Sequence, residues 1–304
     1  MPKIPIFIIG INPRSGTNYL HQLLALHPDC DYAKHYGEDF ILYHADKIVD
    51  YYQSVTYHWN PEWGNDKMVF RKALESGLIS YLDPGNTTAK YLVTKTPHPE
   101  NAKLFLEVFS KGYMIIIVRR GQDLVESYIK TFNKRFADSV RGWKLGATNV
   151  LDVINDKQIM DSGRVICIKY EDLYTKNEEV MSNLFDFLKM DKSKFDFEKS
   201  QNFHVIGSSS YKGNSEKVTW EPIPKNDTFN PLGRFSNWTK FKHFRFNKLA
   251  GKNSKALGYE LYHESSNPIF LVRHLMLLTY DFFFRIYRRT KMEVNGSIKS
   301  KSDF

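Results

Sequence analysis

Read as a pattern of apolar and polar positions, the chain is a series of short unbroken apolar runs, most followed by a stripe of helical period. Ile6-Phe7-Ile8-Ile9-Gly10 is apolar throughout, as expected of a strand covered on both faces. The run breaks at Asn12-Pro13-Arg14-Ser15-Gly16-Thr17. Tyr19, Leu20, Leu23, Leu24 and Leu26 then recur at helical spacing until His27-Pro28. Three more strands are predicted at Tyr91-Leu92-Val93-Thr94, Tyr113 to Val118 and Arg164 to Ile168, the second strongly β-branched. Helical patterns follow them over 99–110, 124–136 and 178–188. Strands alternating with helices predict an α/β fold, a single three-layer domain with a central parallel sheet flanked by helices.

The remaining segments carry weaker patterns. Residues 30–90 are irregular and aromatic-rich, with Trp59 and Trp63, and read as helices and loops over a pocket. Residues 200–237 are rich in Ser, Asn, Gly and Pro and predict a long functional loop. A basic helix over 240–257 closes the domain at Gly258-Tyr259. The domain is therefore expected to span 1–262, with 263–304 forming an apolar and basic amphipathic helix and a polar tail. In that helix Arg273, His274, Asp281, Arg285 and Arg288 share an arc of roughly 120°, too often charged to span a bilayer comfortably. Two readings follow. Either the helix lies on a membrane surface, or it packs on its own domain or a second subunit, the commoner arrangement.

Composition adds constraints. In 304 residues, 42% hydrophobic and 25% charged is a globular balance. The net charge of +9 points to anionic partners. The basic residues are scattered or sit at motif positions, without an aromatic–basic platform, so nucleic acid is not expected. The two cysteines, Cys30 in a loop and Cys167 in a strand, require no disulfide and fit a reducing compartment. The first apolar run is too short for an anchor and has no cleavage site, so a cytoplasmic location is expected, with membrane contact only at the periphery.

The first strand–loop–helix unit carries the chemistry. Gly10 to Thr17 looks like a phosphate loop, giving the fold a P-loop-like nucleotide-binding core, but no Lys follows Gly16 and no magnesium-ligating partner follows that. The N–H groups of Gly16, Thr17 and Asn18 would still bind an anion at a helix start. Ser15, Thr17 and Asn18 add side-chain donors, and Arg14 a cation. A transferred sulfonate develops less negative charge than a phosphoryl group, so a loop with a cation and no metal partner suits it. Arg119, at the end of the strongest strand, and Ser127, two helical turns on, could converge on a second phosphate.

Together these segments resemble the sulfotransferase superfamily. Pro13-Arg14-Ser15-Gly16-Thr17-Asn18-Tyr19-Leu20 is similar to its 5′-phosphosulfate loop, and Val118-Arg119-Arg120-Gly121 with Ser127 to its 3′-phosphate motif. Lys169-Tyr170-Glu171-Asp172-Leu173, Thr94-Lys95-Thr96-Pro97 and Trp238 with Gly258-Tyr259 resemble further motifs, in order along the chain. The pattern is closest to the tyrosylprotein and carbohydrate branch and its bacterial relatives. The resemblance implies 3′-phosphoadenosine-5′-phosphosulfate as donor, adenosine 3′,5′-bisphosphate as product and no metal. It places Arg14, Ser15, Gly16, Thr17, Asn18, Tyr19, Arg119 and Ser127 on the donor, with Tyr170 on its adenine. Lys212, Lys225 or Arg234 would complete the 3′-phosphate pocket. Glu38 is the expected base, raised in basicity among Tyr36, Phe40 and Tyr43; Asp39 stands second and His98 third. Lys95 would stabilise the bridging oxygen. The acceptor hydroxyl stays open among carbohydrate or glycolipid, which we favour, peptide tyrosine and a small molecule, with Tyr51 to Trp63 lining its site. Two other classes are weighed: a P-loop-type kinase, which the missing Gly-Lys-Ser/Thr argues against, and a non-catalytic binder of anionic glycans.

Overall fold

A computed structural model describes residues 3–33, 37–85, 88–205 and 230–302. Its centre is a five-stranded sheet in the order β2-β3-β1-β4-β5, every neighbouring pair parallel. The strands are β1 (Ile4–Gly10), β2 (Cys30–Tyr32), β3 (Tyr91–Thr96), β4 (Tyr113–Val118) and β5 (Val165–Lys169). Four match the apolar runs. The three-residue β2 was expected as loop: it is too short to show a period, and only its pairing with β3 through Cys30 and Tyr91 makes it a strand.

The helices are α1 (Thr17–Leu24), α2 (Ala45–Tyr57), α3 (Lys67–Leu82), α4 (Phe105–Val108), α5 (Gly121–Phe132), α6 (Phe136–Ile154), α7 (Lys157–Asp161), α8 (Tyr170–Thr175), α9 (Asn177–Leu188), α10 (Phe197–Gln201), α11 (Lys240–Ala256) and α12 (Pro268–Ser302). The pattern over 99–110 condenses into a short 3₁₀ turn, Ala102–Leu104, and α4.

Alternation along the buried strands divides the core in two. Phe7, Ile9, Met114 and Ile116 face one side, where they meet Phe105, Trp143, Val150 and Phe246. Ile6, Ile8, Ile115 and Ile117 face the other, against Leu20, Leu23, Leu184 and Phe185. Helix α6 presses closely on the first layer. A Cβ on Gly146 would lie 1.8 Å from the Ile11 carbonyl oxygen, so only glycine lets that helix pass the end of β1. Both cysteines are free thiols, and burial pushes Cys167 up to about 12. Among the described residues no helix is long and apolar enough to cross a membrane.

Candidate active site

β1 lies in the middle of the sheet, so the loop leaving it opens between the ends of β3 and β4. That is the crevice where parallel sheets collect ligands. Two backbone distortions shape this loop: Arg14 holds φ 80° and Gly16 φ 102°. The first is costly for a residue with a Cβ, and such strain concentrates at binding loops. At Gly16 a Cβ would sit 2.3 Å from the Tyr170 ring, so conformation and space both demand glycine. Gly16 then opens α1 with no side chain capping its first N–H groups. Ser15 and Thr17 are buried beside this terminus and Asn18 half-buried. The Tyr19 side chain is buried in the core, edge-on to Tyr170.

The two anion sites expected at separate strand ends share a boundary. The Arg119 guanidinium donates through Nη1 to the Arg14 carbonyl at 2.8 Å. The Arg14 side chain donates through Nε to Ser127 Oγ at 3.3 Å. Arg234 arrives from the segment before α11 and donates to the same hydroxyl at 3.1 Å. Two guanidiniums thus meet at one serine, and a third, that of Arg119, bonds the backbone beside them. Arg119 also bonds the Pro231 carbonyl, which draws the late segment across the crevice. Burial and the nearby Arg119 bring Arg14 down to about 10 and Arg234 to about 9. Each cation is thus made less stable by desolvation and like charge. The Ser15 hydroxyl and Arg119 Nε are buried without a hydrogen-bond partner.

The carboxylates at this end bind backbone groups. Asp123 Oδ1 accepts from the Arg234 N–H at 2.6 Å, and burial raises its pKa. Glu171 accepts from the Arg120 N–H at 2.8 Å and from the Tyr259 hydroxyl at 3.0 Å. Asp123 was not singled out in the sequence, although it sits one helical turn before Ser127 on the same face of α5 and could have been found that way. The Tyr170 ring is buried, with the Arg119 guanidinium 4.6 Å from its centroid. It therefore already contacts Arg119 and Gly16, and an adenine stacked on it would have to share this crowded space.

The other end of the site surrounds β3. Lys95 is 4% exposed, and its Nζ lies 3.8 Å from Glu38 Oε1, on a side chain 36% exposed. Burial lowers the Lys95 pKa, while Glu38 and Asp39 oppose that shift. The more deeply buried carboxylate of the pair is Asp39. Asp39 is raised by burial, and its carboxylate accepts from the Thr94 hydroxyl at 2.6 Å and the Ile41 N–H at 2.7 Å. Asp39 fastens the 37–41 segment to β3, and Glu38 points its carboxylate toward Lys95 and solvent. His98 packs against Phe40 and Tyr43, with Nδ1 3.7 Å from Glu100. Tyr36, Lys212 and Lys225, also named from the sequence, lie outside the described residues. Of the aromatic stretch expected to line the acceptor site, Tyr51 joins His44, Ile48, Ala73, Leu74 and Leu78 around an apolar cleft of about 500 Å³ between α2 and α3.

The sheet order, with the anion loop leaving the middle strand, defines an α/β protein of P-loop-like fold. A family profile described as "Sulfotransferase family" matches residues 5–194. The chain belongs to that family, and the enzyme is a sulfotransferase. Its fold is similar to the sulfotransferase domain from the curacin biosynthetic pathway, at 18% identity and a TM-score of 0.50, covering 86% of this chain and 99% of that one. The sulfotransferase domain of the Synechococcus PCC 7002 olefin synthase matches at 18% identity and a TM-score of 0.50, over 86% of this chain and 96% of the other. No curated protein matches the sequence.

Proposed function

We propose that the protein transfers a sulfonate group from 3′-phosphoadenosine-5′-phosphosulfate directly to an acceptor hydroxyl. The observation that carries this reading is the meeting of Arg14 and Arg234 at Ser127, with Arg119 bonded to the Arg14 carbonyl beside them. Buried Asp123 offsets the mutual repulsion of the three guanidiniums in part, and an anion among them would relieve the rest. A phosphate there would accept from Ser127 and the arginines, including the buried Arg119 Nε. The uncapped start of α1 and the Ser15 hydroxyl would hold the 5′ end of the donor. Family membership supplies the reaction class that fits this donor.

Glu38 is the base in this scheme. It takes the acceptor proton while the acceptor oxygen bonds to sulfur and the bond from sulfur to the 5′-phosphate oxygen breaks. Lys95, 3.8 Å away, stabilises charge on the departing oxygen. Asp39 serves as a positioning residue, since its oxygens already accept from Thr94 and Ile41. We favour a carbohydrate or glycolipid acceptor, because the apolar cleft between α2 and α3 suits a lipid portion and exposed Tyr51 and Trp63 suit a sugar. A cytoplasmic setting fits the free thiols.

Equilibrium binding tests the proposal. Adenosine 3′,5′-bisphosphate should bind in the absence of magnesium and far more tightly than ATP, and labelled sulfonate should pass from donor to a glycolipid acceptor. Preference for ATP with magnesium would overturn it.

A further inference from the structure

The orientation of α12 reverses the usual arrangement of an amphipathic helix. The centre of its polar stripe, His274 and Asp281, faces inward. Asp281, 2% exposed, bonds Arg135 at 2.5 Å, is held by Arg245 and lies 3.8 Å from Arg141. Arg273 covers the Phe241 ring at 4.3 Å, and buried His274 meets Phe244. A carboxylate shared by three arginines cannot be turned to solvent without leaving their charges uncompensated, so it fixes the rotation of the helix.

With the polar side engaged, the apolar side is left outside. Val272, Met276 and Phe283 are 59%, 69% and 63% exposed, and Leu275, Ile286 and Tyr287 extend the same face. At 100° per residue the exposed apolar positions between Ile269 and Tyr287 spread over roughly 180° without a charged residue, along about 28 Å of helix. Soluble proteins seldom expose so large a continuous apolar patch without a partner. Exposed Arg285 and Lys291 flank it on α12, and the adjoining α11 carries exposed Lys240 and Lys248. The chain as a whole carries +9.

The geometry points to α12 as a membrane-docking helix that lies in the headgroup region of an anionic phospholipid surface, apolar face down. The width of the face favours lipid over a second copy. A helix–helix contact covers a narrow seam and would leave much of a half-circumference wet, whereas a bilayer surface covers all of it. Two copies would also bring their basic borders together, while anionic headgroups neutralise them.

Vesicle co-sedimentation of the full chain tests this independently of the sulfotransfer reading. Binding to vesicles containing about one-third phosphatidylserine should exceed binding to pure phosphatidylcholine and weaken with salt. The double variant Met276→Glu/Phe283→Glu should lose binding by about 10- to 100-fold, with an unchanged circular dichroism spectrum and urea midpoint as the check on folding. The proposal fails if the native chain stays in the supernatant with the anionic vesicles at low salt, or if the variant binds them equally. It fails also if the chain sediments as a dimer that this variant dissociates and neither form binds vesicles, because the face would then be a subunit interface.

Discussion

The two ends of the site solve opposite electrostatic problems. At Ser127, Arg14 and Arg234 are weakened as cations by burial and by nearby Arg119. At β3, Lys95 faces Glu38 across 3.8 Å, so the charges there already compensate one another. Buried Asp123 offsets the first end only in part, so in the proposed scheme an anion relieves the rest and binding is its main task. The second is nearly neutral as a pair, so it adds little to holding a charged nucleotide. In the proposed scheme it acts when an acceptor hydroxyl reaches the exposed carboxylate, which would make it the chemical end.

Separate substitutions should split these roles. Glu38→Gln removes the proton acceptor and keeps the shape, so kcat should fall by about 10²- to 10⁴-fold with bisphosphate affinity unchanged. A parallel loss of affinity would make Glu38 part of the donor site and erase the distinction. Arg119→Ala should do the reverse, weakening bisphosphate binding by about 10- to 100-fold through lost charge-assisted hydrogen bonds. Isothermal titration reads both variants. Gly16→Ala attacks the joint between the ends, since it forces a Cβ into Tyr170 and onto a positive φ. It should cost about 1–3 kcal/mol in urea unfolding, in addition to its effect on donor binding.

Legibility in the sequence followed the range of the forces involved. Strands β1, β3, β4 and β5 were readable because a sheet buried on both sides leaves uninterrupted apolar runs. β2 was not, because a three-residue edge strand exists only through its partner. Arg14, Ser127 and Arg234 were named as separate candidates, but their meeting at one hydroxyl depends on how the segment before α11 folds back, which no local pattern encodes. Asp39 illustrates the limit most clearly. It and Glu38 are adjacent acids of the same type, yet hydrogen bonds from Thr94, 55 positions away in the chain, make one a fastening and leave the other accessible. In α12 the periodicity was plain and the facing was not: a polar stripe ordinarily meets water, and Arg135 just before α6, Arg141 on α6 and Arg245 on α11 turn its centre inward.

The smallest expected effect probes what surrounds the chemical end. His21 lies on α1 in the layer beneath Lys95, with Nε2 3.3 Å from the Val93 carbonyl oxygen, and burial reinforced by the Lys95 charge lowers its pKa to about 4. The unfolded imidazole takes up its proton near 6.5, so between about pH 6.5 and 4 the unfolded chain binds more protons than the folded one. Stability from this group is therefore complete above that window and is lost as pH falls through it, by at most about 3 kcal/mol. His21→Gln keeps a side-chain donor for Val93 without titrating in this range, and should flatten that part of the stability profile measured by urea unfolding at pH 7 and pH 4.5. Since Lys95 is the second cause of the shift, Lys95→Met should raise the folded pKa and so shorten the acid limb at its low-pH end, with a smaller total loss. If the limb stays where it was in both variants, His21 is not the group that titrates, and the positive charge of Lys95 does not reach into the layer below the site.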